Sequence, residues 1–494
     1  MKTIITSFAV LLSCIHFLSS QNTWIIGYDT TAINSGGGTS ISFMGASTPP
    51  NISYLQKQMD ILNCPAVLDD DMGNLQFYSN GCYVSDANHN KMPGSDSLTT
   101  GQFIDVYCDQ GLGGLGLQTT IALPAVSNER YKYLFKYNYK FIAQNGGDIR
   151  GVELVYCKID MDGNDGLGEM IERNVSIVTD TFPTGYLSAV KHADGMSWWL
   201  LAPKSSSNTY HKILLDSTGI HYMGAQSIGR VWDHRDWTGQ STFTPIGAHY
   251  LRHSNFNKLN IFDFDRCTGN LSDPIIIDVE NTDYAAAGVS VSSNSRFAYV
   301  STFSNLYQFD LEAGDIEQSK TLIDTYDEAP FPYYSGFSLS ALAPDQKIYI
   351  AGTSSHKHLH VVNSPNEPGL ECSFSQHGLD IPSFNFAGIP NVPHFNTEEL
   401  DCLPSSNSNI EATNIECILF PNPVEQGQDF QLNIKGIPIR EEHEVRFYSS
   451  SGNLLESHSL SQGQITISTT SWPIGNYYYT IYPVKDLAGK FIVF

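Results

Sequence analysis

The segment Trp232–Trp237 carries the densest combination of acidic, basic and aromatic side chains in the sequence. Aspartate and histidine can exchange protons with a substrate, and tryptophan rings can pack against the apolar face of a sugar. The segment is therefore a candidate ligand-binding loop, formed by Trp232, Asp233, His234, Asp236 and Trp237. The competing interpretation is a packed connection between two structural repeats, because the sequence identifies no catalytic partner for the aspartates.

A second candidate site is an acidic turn. Asp160, Asp162 and Asn164 place side-chain oxygens at alternate positions, which resembles the start of an EF-hand calcium loop. That loop requires Gly at its sixth position and Glu at its twelfth, whereas this chain has Asp165 and Ile171 there. We therefore expect a hairpin turn, with Ca²⁺ bound at the three oxygen ligands as the alternative. No other cofactor is expected.

Three histidines alternate along a third segment, at His356, His358 and His360. Alternate side chains of a strand point to the same face of the sheet, so three imidazoles on one face could hold a transition metal. Lys357 lies among them and no carboxylate is close in sequence. The preferred interpretation is therefore an exposed edge strand.

The sequence lacks the motifs that identify common enzyme classes. It has no Gly-x-Ser-x-Gly nucleophile elbow, no His-Glu-x-x-His zinc motif and no phosphate-binding loop. The formal net charge of −24 excludes most nucleic-acid binding, whose affinity comes largely from Lys and Arg that neutralise phosphates. These observations favour a binding protein, and no nucleic-acid partner is expected.

The segments that must position these side chains are predicted to be strands. Short runs of β-branched and aromatic residues alternate with clusters of Gly, Asn, Asp, Ser and Pro, which is typical of all-β proteins. The best helix candidate is a short one at Ile52–Leu62. The predicted fold class is therefore all-β.

Part of this strand pattern repeats. Gly288–Val300 and Gly336–Ile350 each combine a strand, a polar turn and a strand with a tyrosine, and the two tyrosines are 50 residues apart. A similar spacing upstream gives a series of seven aromatic residues: Trp24, Phe77, Tyr133, Trp198, Tyr250, Tyr299 and Tyr349. Units of about this length with four short strands are typical of a β-propeller. We predict seven blades over residues 21–396, with six or eight as alternatives.

The chain changes character after the repeats. Residues 397–416 are rich in Ser, Asn and Glu and predict a linker. Residues 417–494 contain short alternating segments separated by turns, which predict a small immunoglobulin-like β-sandwich.

Several residues of this last module carry a resemblance to a known family. They are Phe420, Pro421, Asn422 and Pro423 at its opening, the turn residue Gly452, Gly475 and Tyr477 of a later strand, and Lys490 before the apolar end. In this order they resemble the C-terminal sorting domain of the type IX secretion system. Ser449 stands where that family often has Asp. The resemblance implies passage across the outer membrane, with the secretion machinery as partner. Four segments of the repeats, Asn74–Gly81, Asn88–Pro93, Val155–Met161 and Asp265–Gly269, resemble a group of large exported propeller proteins with the same tail.

The N-terminus predicts export as well. Lys2, the apolar segment Ile4–Leu18 and small residues before Gln21 form a signal peptide over residues 1–20. Lipid attachment at Cys14 is the alternative. No later segment is long and apolar enough to be a transmembrane helix.

Together these features predict a protein that is secreted or held at the outer cell surface. The leading hypothesis is an exported, non-enzymatic propeller that binds a glycan or another surface protein. The alternatives are an extracellular hydrolase that acts on polymers such as glycans, with carboxylates around the propeller axis, and a structural protein of a surface layer.

Overall fold

The computed structural model of the chain has 494 residues and divides into two compact units, Met1–Leu400 and Asp401–Phe494. It describes residues 21–29, 36–44, 49–63, 65–99, 104–109, 113–114, 116–142, 148–236, 238–280, 287–327, 333, 335–395, 397, 399–400, 402, 416–435, 444–449, 454–459, 464–482 and 488–494. The predicted signal peptide, Trp237, Gly452 and most of the predicted linker lie outside these ranges. The boundary between the units falls within the predicted linker.

The described part of the first unit contains seven antiparallel sheets, and the strands of each sheet follow one another in sequence. The first sheet consists of β1 (Thr23–Ile26), β2 (Gly38–Ser42) and β3 (Asn51–Leu55). The second consists of β4 (Ala66–Asp69), β5 (Leu75–Ser79) and β6 (Val84–Asp86). The short helix α1 (Ile104–Asp109) follows, and Cys108 within it forms a disulfide with Cys82.

The next five sheets have four strands each. The third is β7 (Thr120–Pro124), β8 (Tyr131–Ile142), β9 (Asp148–Asp160) and β10 (Glu169–Phe182). The fourth is β11 (Ser188–Lys191), β12 (Trp198–Pro203), β13 (Thr209–Asp216) and β14 (Gly219–Ser227). The fifth is β15 (Gln240–Phe243), β16 (His249–Ser254), β17 (Lys258–Asp265) and β18 (Asn270–Ile277). The sixth is β19 (Ala287–Val291), β20 (Phe297–Thr302), β21 (Asn305–Asp310) and β22 (Thr321–Thr325). The seventh is β23 (Phe337–Leu342), β24 (Ile348–Gly352), β25 (His356–Val362) and β26 (Phe374–Asn385).

The sheets pack face to face in a closed ring. Each consecutive pair shares a cluster of buried apolar side chains, and the seventh sheet shares another with the first. At this last junction the rings of Trp24 and Tyr349 meet edge to face at 5.7 Å, and the backbones of Tyr28 and Phe384 exchange two hydrogen bonds. Radial stacking of short sheets buries both faces of each one, which is the arrangement of a β-propeller.

The aromatic series locates this framework correctly. Its last five members lie on β8, β12, β16, β20 and β24, each the second strand of its sheet, and Phe77 lies on the middle strand of the second sheet. All except Tyr133 are buried. In the third sheet the buried aromatic side chains of β8 are instead Phe135, Tyr137 and Tyr139. Trp24 lies on β1, the first strand of its sheet. The series marks the sheets because, from the second sheet onwards, the second strand supplies a large aromatic side chain to the interface.

The predicted helix at Ile52–Leu62 is wrong. Residues 51–55 form β3, and Ile52 pairs with Ile41 of β2. Pairing with β2 satisfies the backbone of this segment and overrides its weak local helical pattern.

The described part of the second unit contains two antiparallel sheets. One contains β27 (Glu416–Phe420), β28 (Asp429–Lys435) and β31 (Gln464–Ser468). The other contains β29 (Glu444–Ser449), β30 (Leu454–Ser459), β32 (Gly475–Tyr482) and β33 (Ala488–Val493). Phe430 of the first sheet contacts Phe447 and Phe491 of the second, with ring centroids 5.6 and 4.8 Å apart. The two sheets therefore share one core.

In the described ranges, no helix is both long enough and apolar enough to cross a lipid bilayer.

Candidate functional site

The innermost strands of the ring surround the axis with small polar side chains. Ser188, Ser241, Ser290 and Ser340 come from four successive sheets. The hydroxyl of Ser340 contacts that of Ser290 at 2.9 Å, and the hydroxyl of Ser241 donates to that of Ser188 at 3.2 Å. Each side chain finds a partner on a neighbouring sheet, so the polar belt stabilises the ring from inside.

The segment that follows the seventh sheet fills the axis. The amide of Asn391 donates to the backbone oxygens of Thr120 and Leu187 at 2.8 and 2.9 Å, and its Oδ1 accepts from Gln118 at 3.0 Å. A cavity of about 40 Å³ remains beside it. That volume holds a few water molecules, so the axis is closed to larger ligands.

A larger pocket of about 350 Å³ opens at one end of the axis. The turns after β15, β19 and β23 line it with Pro245, Ser293 and Gln346. The segment that fills the axis, residues 389–395, contributes Pro393 and Phe395. We call it the mouth pocket. Its volume falls within the range of small-molecule sites, roughly 300–1,000 Å³. Neither Asp nor Glu is among the described residues that line the mouth pocket or the smaller cavity beside Asn391, the axial cavity. Sequence reasoning did not find this pocket.

The candidate loop at Trp232–Trp237 connects β14 to β15, so it lies at the opposite end of β15 from the mouth pocket. Trp232 is 1% exposed, and its ring packs against Tyr186 and beneath the guanidinium of Arg252, whose Cζ lies 3.5 Å from the ring centroid. A ring enclosed in this way cannot contact a ligand without a rearrangement of the loop.

Asp236 is the second buried residue of this loop, with an exposure of 0%. Its carboxylate pairs with Arg150 of β9 and accepts the backbone N–H of Ser206 at 2.7 Å. Arg150 also donates to the backbone oxygen of His234 at 2.6 Å. The pair therefore ties the loop to the third sheet.

The remaining described positions of the loop face outwards. His234 is exposed, and Asp233 pairs with Arg235 at 3.0 Å. Burial opposes ionisation of Asp233, but hydrogen bonds from Arg235 outweigh it and lower the pKa of the carboxyl. Of the predicted ligand-binding residues in the described ranges, Asp233 and His234 are the two that solvent reaches.

The acidic turn connects β9 to β10, as the predicted hairpin requires, and Asp160 pairs across it with Glu169. The Nε of Arg130 donates to Oδ1 of Asp160 at 2.6 Å, and its Nη2 donates to Oδ2 at 2.5 Å. Asp162 lies 3.3 Å from the same guanidinium. These hydrogen bonds lower the pKa of Asp160. The carboxylates that a Ca²⁺ ion would need are thus already paired with a cation, while Asn164 lies in a short 3₁₀ turn.

The three alternating histidines are not on an exposed edge strand, and that prediction is wrong. β25 is paired on both sides, with β24 and β26. His356 and His360 are 0% exposed and His358 is 8% exposed. Burial, together with neighbouring imidazoles, lowers the pKa of His358 to about 3. The sequence could not show this because the position of a strand within its sheet depends on its distant partners.

Among the predicted sorting residues, Pro421, Asn422 and Pro423 follow the first described strand of the second unit, and Lys490 lies on its last strand. Asn422 lies between Pro421 and Pro423; its Oδ1 accepts from the backbone N–H of Ile492 at 3.2 Å, and its Nδ2 donates to the backbone oxygen of Lys490 at 3.3 Å. The opening of the module therefore pairs with its closing strand.

The strand between these two ends begins at Gly475 and buries Tyr477. The ring of Tyr477 packs on Trp472 and Phe491, with centroids 5.1 and 5.6 Å apart. Lys490 is exposed.

No known protein family matches the chain, and no curated protein shows a significant match. Among solved structures, the chain is similar to a functionally unknown protein from Desulfotomaculum acetoxidans, at 13% identity over 74% of this chain and 98% of that chain, with a TM-score of 0.39. It is similar to Sqt1 of Saccharomyces cerevisiae, at 9% identity over 85% and 96%, with a TM-score of 0.37. It is also similar to PorZ, a surface component of the type IX secretion system of Porphyromonas gingivalis, at 11% identity over 96% and 75%, with a TM-score of 0.28.

Proposed function

We propose that this protein is an exported seven-bladed β-propeller that binds a glycan in its mouth pocket without altering it chemically. The seven sheets of the closed ring support the blade count. The polar members of the pocket, such as Ser293 and Gln346, would hydrogen-bond sugar hydroxyls. Pro393 and Phe395 offer apolar surface on which the C–H face of a sugar ring packs.

The observation that carries this proposal is the composition of the axis and its mouth. Hydrolysis of a glycosidic bond generally uses two carboxyl groups, one on each side of the scissile bond. The described lining of the axial cavity and of the mouth pocket supplies hydroxyls, amides and apolar groups, with no carboxyl group among them. This lining therefore favours a glycan-binding function over the alternative of a glycan hydrolase.

Delivery is the second part of the proposal. The signal peptide at residues 1–20 would direct the chain out of the cytoplasm, and residues 417–494, an immunoglobulin-like sandwich, would be read by the type IX secretion machinery. The pairing of Asn422 with the closing strand supports a compact signal, because the motif residues at both ends of the module form one surface. The expected destination is the outer cell surface or the medium.

The binding proposal is tested with a panel of soluble oligosaccharides applied to the immobilised protein. Ser293→Trp places an indole in the mouth pocket and should reduce retention at least tenfold. Glu312→Trp adds the same side chain to an exposed turn outside the pocket and should leave retention unchanged. Recovered sugars should have unchanged masses. Release of shortened products, or equal retention by the two variants, would refute the proposal.

Export is tested separately by removing residues 417–494. The truncated protein should accumulate in the periplasm, whereas the full chain reaches the surface or the medium. Gln431→Ala, at an exposed position of β28 in the same module, serves as a control for general effects of altering the tail. Normal release of the truncated protein would show that these residues are not the sorting signal.

A further inference from the structure

A bulge in the seventh sheet brings a fourth histidine to the histidines of β25. Leu359 pairs with Leu379, but Val361 pairs with Ser375, so β26 contains two more residues than β25 between these pairs. His377 lies within the extra residues with a φ of +52°. The bulge turns its ring onto β25, 4.0 Å from His358 and 5.0 Å from His360 between ring centroids. Bulges commonly redirect side chains at functional sites.

The ring nitrogens of these residues are placed as metal ligands would be. One nitrogen each from His358, His360 and His377 lies within 4.8 Å of the other two. Nitrogens bound to one tetrahedral Zn²⁺ are about 3.3 Å apart, as follows from Zn–N distances of about 2.0–2.1 Å. Small side-chain rotations therefore bring all three into the first coordination sphere.

The same three residues have ring nitrogens without hydrogen-bond partners. These atoms are Nε2 of His358, Nε2 of His360 and Nδ1 of His377. The first two side chains are buried, at 8% and 0% exposure. Buried polar atoms are normally paired, because a buried unpaired group loses its hydration without compensation. A single cation would satisfy all three.

Asp327 orients one of the ligands. Its carboxylate oxygens lie 3.1 and 3.2 Å from Nε2 of His377. A carboxylate at this position holds the proton on Nε2, so the lone pair of the ring is on Nδ1, the atom that lacks a partner. Metal-bound histidines usually have such a carboxylate behind them.

His360 must change its tautomer before it can coordinate a metal ion. Its Nδ1 accepts the backbone N–H of His377 at 3.2 Å. Coordination through Nε2 requires the ring proton to move to Nδ1, so this long hydrogen bond is exchanged for a metal bond.

We propose that His358, His360 and His377 bind a Zn²⁺ ion at the outer side of the seventh sheet, with solvent as the fourth ligand and Asp327 as the partner of His377. Imidazole donors suit Zn²⁺, Cu²⁺ and Ni²⁺, whereas Ca²⁺ and Mg²⁺ prefer oxygen ligands. The partial exposure of His377, 26%, gives an ion access from solvent.

His356 is excluded from this set and provides a matched control. It lies on the same strand, with its ring 5.2 Å from that of His358. Both of its nitrogens are already engaged, since Nε2 accepts the backbone N–H of Gly352 at 3.1 Å and Nδ1 contacts the backbone oxygen of Ser354. It therefore has no free lone pair to offer.

Calorimetric titration of the chain, purified without a polyhistidine tag, tests the site. ZnCl₂ should bind with a stoichiometry of one, and CaCl₂ should not bind there. His377→Ala and His358→Ala should each weaken zinc binding at least tenfold, and Asp327→Asn should weaken it about tenfold. His377 is partly exposed, so its variant should fold; circular dichroism checks each protein. His356→Ala should bind zinc as the wild type does.

Co²⁺ gives an independent readout. Substituted into the site, it should produce the intense visible absorption of a tetrahedral ion, and this absorption should be lost in His377→Ala. Three results would overturn the proposal: no stoichiometric zinc binding, zinc binding that persists in the His358→Ala/His377→Ala double variant, or binding of Cu²⁺ and Ni²⁺ without Zn²⁺.

Discussion

Two aspartates three residues apart in one loop should differ sharply in their effect on stability. Asp236 is 0% exposed and its partner Arg150 is 8% exposed, whereas Asp233 and Arg235 are 37% and 49% exposed at the side chain. Removal of one partner from a buried ion pair leaves an unpaired buried charge, which costs about 3–5 kcal/mol. Loss of an exposed pair costs about 0–1 kcal/mol.

We therefore expect Asp236→Ala to lower the free energy of unfolding of the first unit by about 3–5 kcal/mol and Asp233→Ala by about 1 kcal/mol or less. Asp236→Asn should fall between them, because its side-chain oxygen still accepts the N–H of Ser206 but carries no charge. Urea unfolding, followed by tryptophan fluorescence, measures all three. Combined with Arg150→Met, a double-mutant cycle isolates the coupling between Arg150 and Asp236.

Costs of Asp236→Ala and Asp233→Ala that agree within about 1 kcal/mol would refute the structural role of the buried pair. A polymer-degrading activity that disappears in Asp236→Ala while the unfolding curve is unchanged would refute it as well, and would instead favour the hydrolase alternative.

Two further predictions concern burial and close packing. Burial raises the pKa of Asp69 to about 7, so the folded state retains a proton that the unfolded state loses near pH 4, and stability should fall as the pH rises from about 4 to about 7. In urea unfolding, the free energy of unfolding of Asp69→Asn should therefore match that of the wild type at pH 4 and exceed it by up to about 4 kcal/mol at pH 8. A difference that stays constant with pH would contradict this explanation. Asp71→Asn, on the exposed turn, is the control and should have little effect at either pH. Gly288→Ala should lower the unfolding midpoint strongly, because its Cβ would lie 2.2 Å from the backbone oxygen of Ser338. Gly314→Ala, with no atom within 4 Å, is its control, and equal midpoints for the two would show that β19 and β23 can separate at no cost.

The framework was accessible from the sequence because the repeats preserve one physical requirement. From the second sheet onwards, the second strand supplies a large aromatic side chain to the interface, so the spacing of Tyr250, Tyr299 and Tyr349 reports the spacing of the sheets. The serines of the polar belt repeat in the same way, since Ser290 and Ser340 are also 50 residues apart. A search for small polar residues at that period would have found the lining of the axis.

The side-chain partners could not be predicted, because they depend on contacts between distant parts of the chain. Asp236 is paired with Arg150, 86 residues away, and nothing near either residue signals the pairing. His377 reaches His360 through a bulge, and a bulge alters the alternation of side chains that sequence reasoning assumes. The exposed-edge interpretation of β25 failed for a related reason: the pattern of one strand does not tell how many neighbours it has.

The segment that fills the axis also constrains how the ring assembles. Asn391 bonds to Thr120 and Leu187, which precede it by 271 and 204 residues. These contacts have a very high contact order, and such contacts form slowly because a long loop must close before they contribute any stability. Residues 389–395 are synthesised after every sheet of the ring, so Asn391 can take its place only after the other strands exist. Closure of the ring around this segment is therefore a late step of folding. A chaperone or protease that binds the chain before this step binds a ring that is still open.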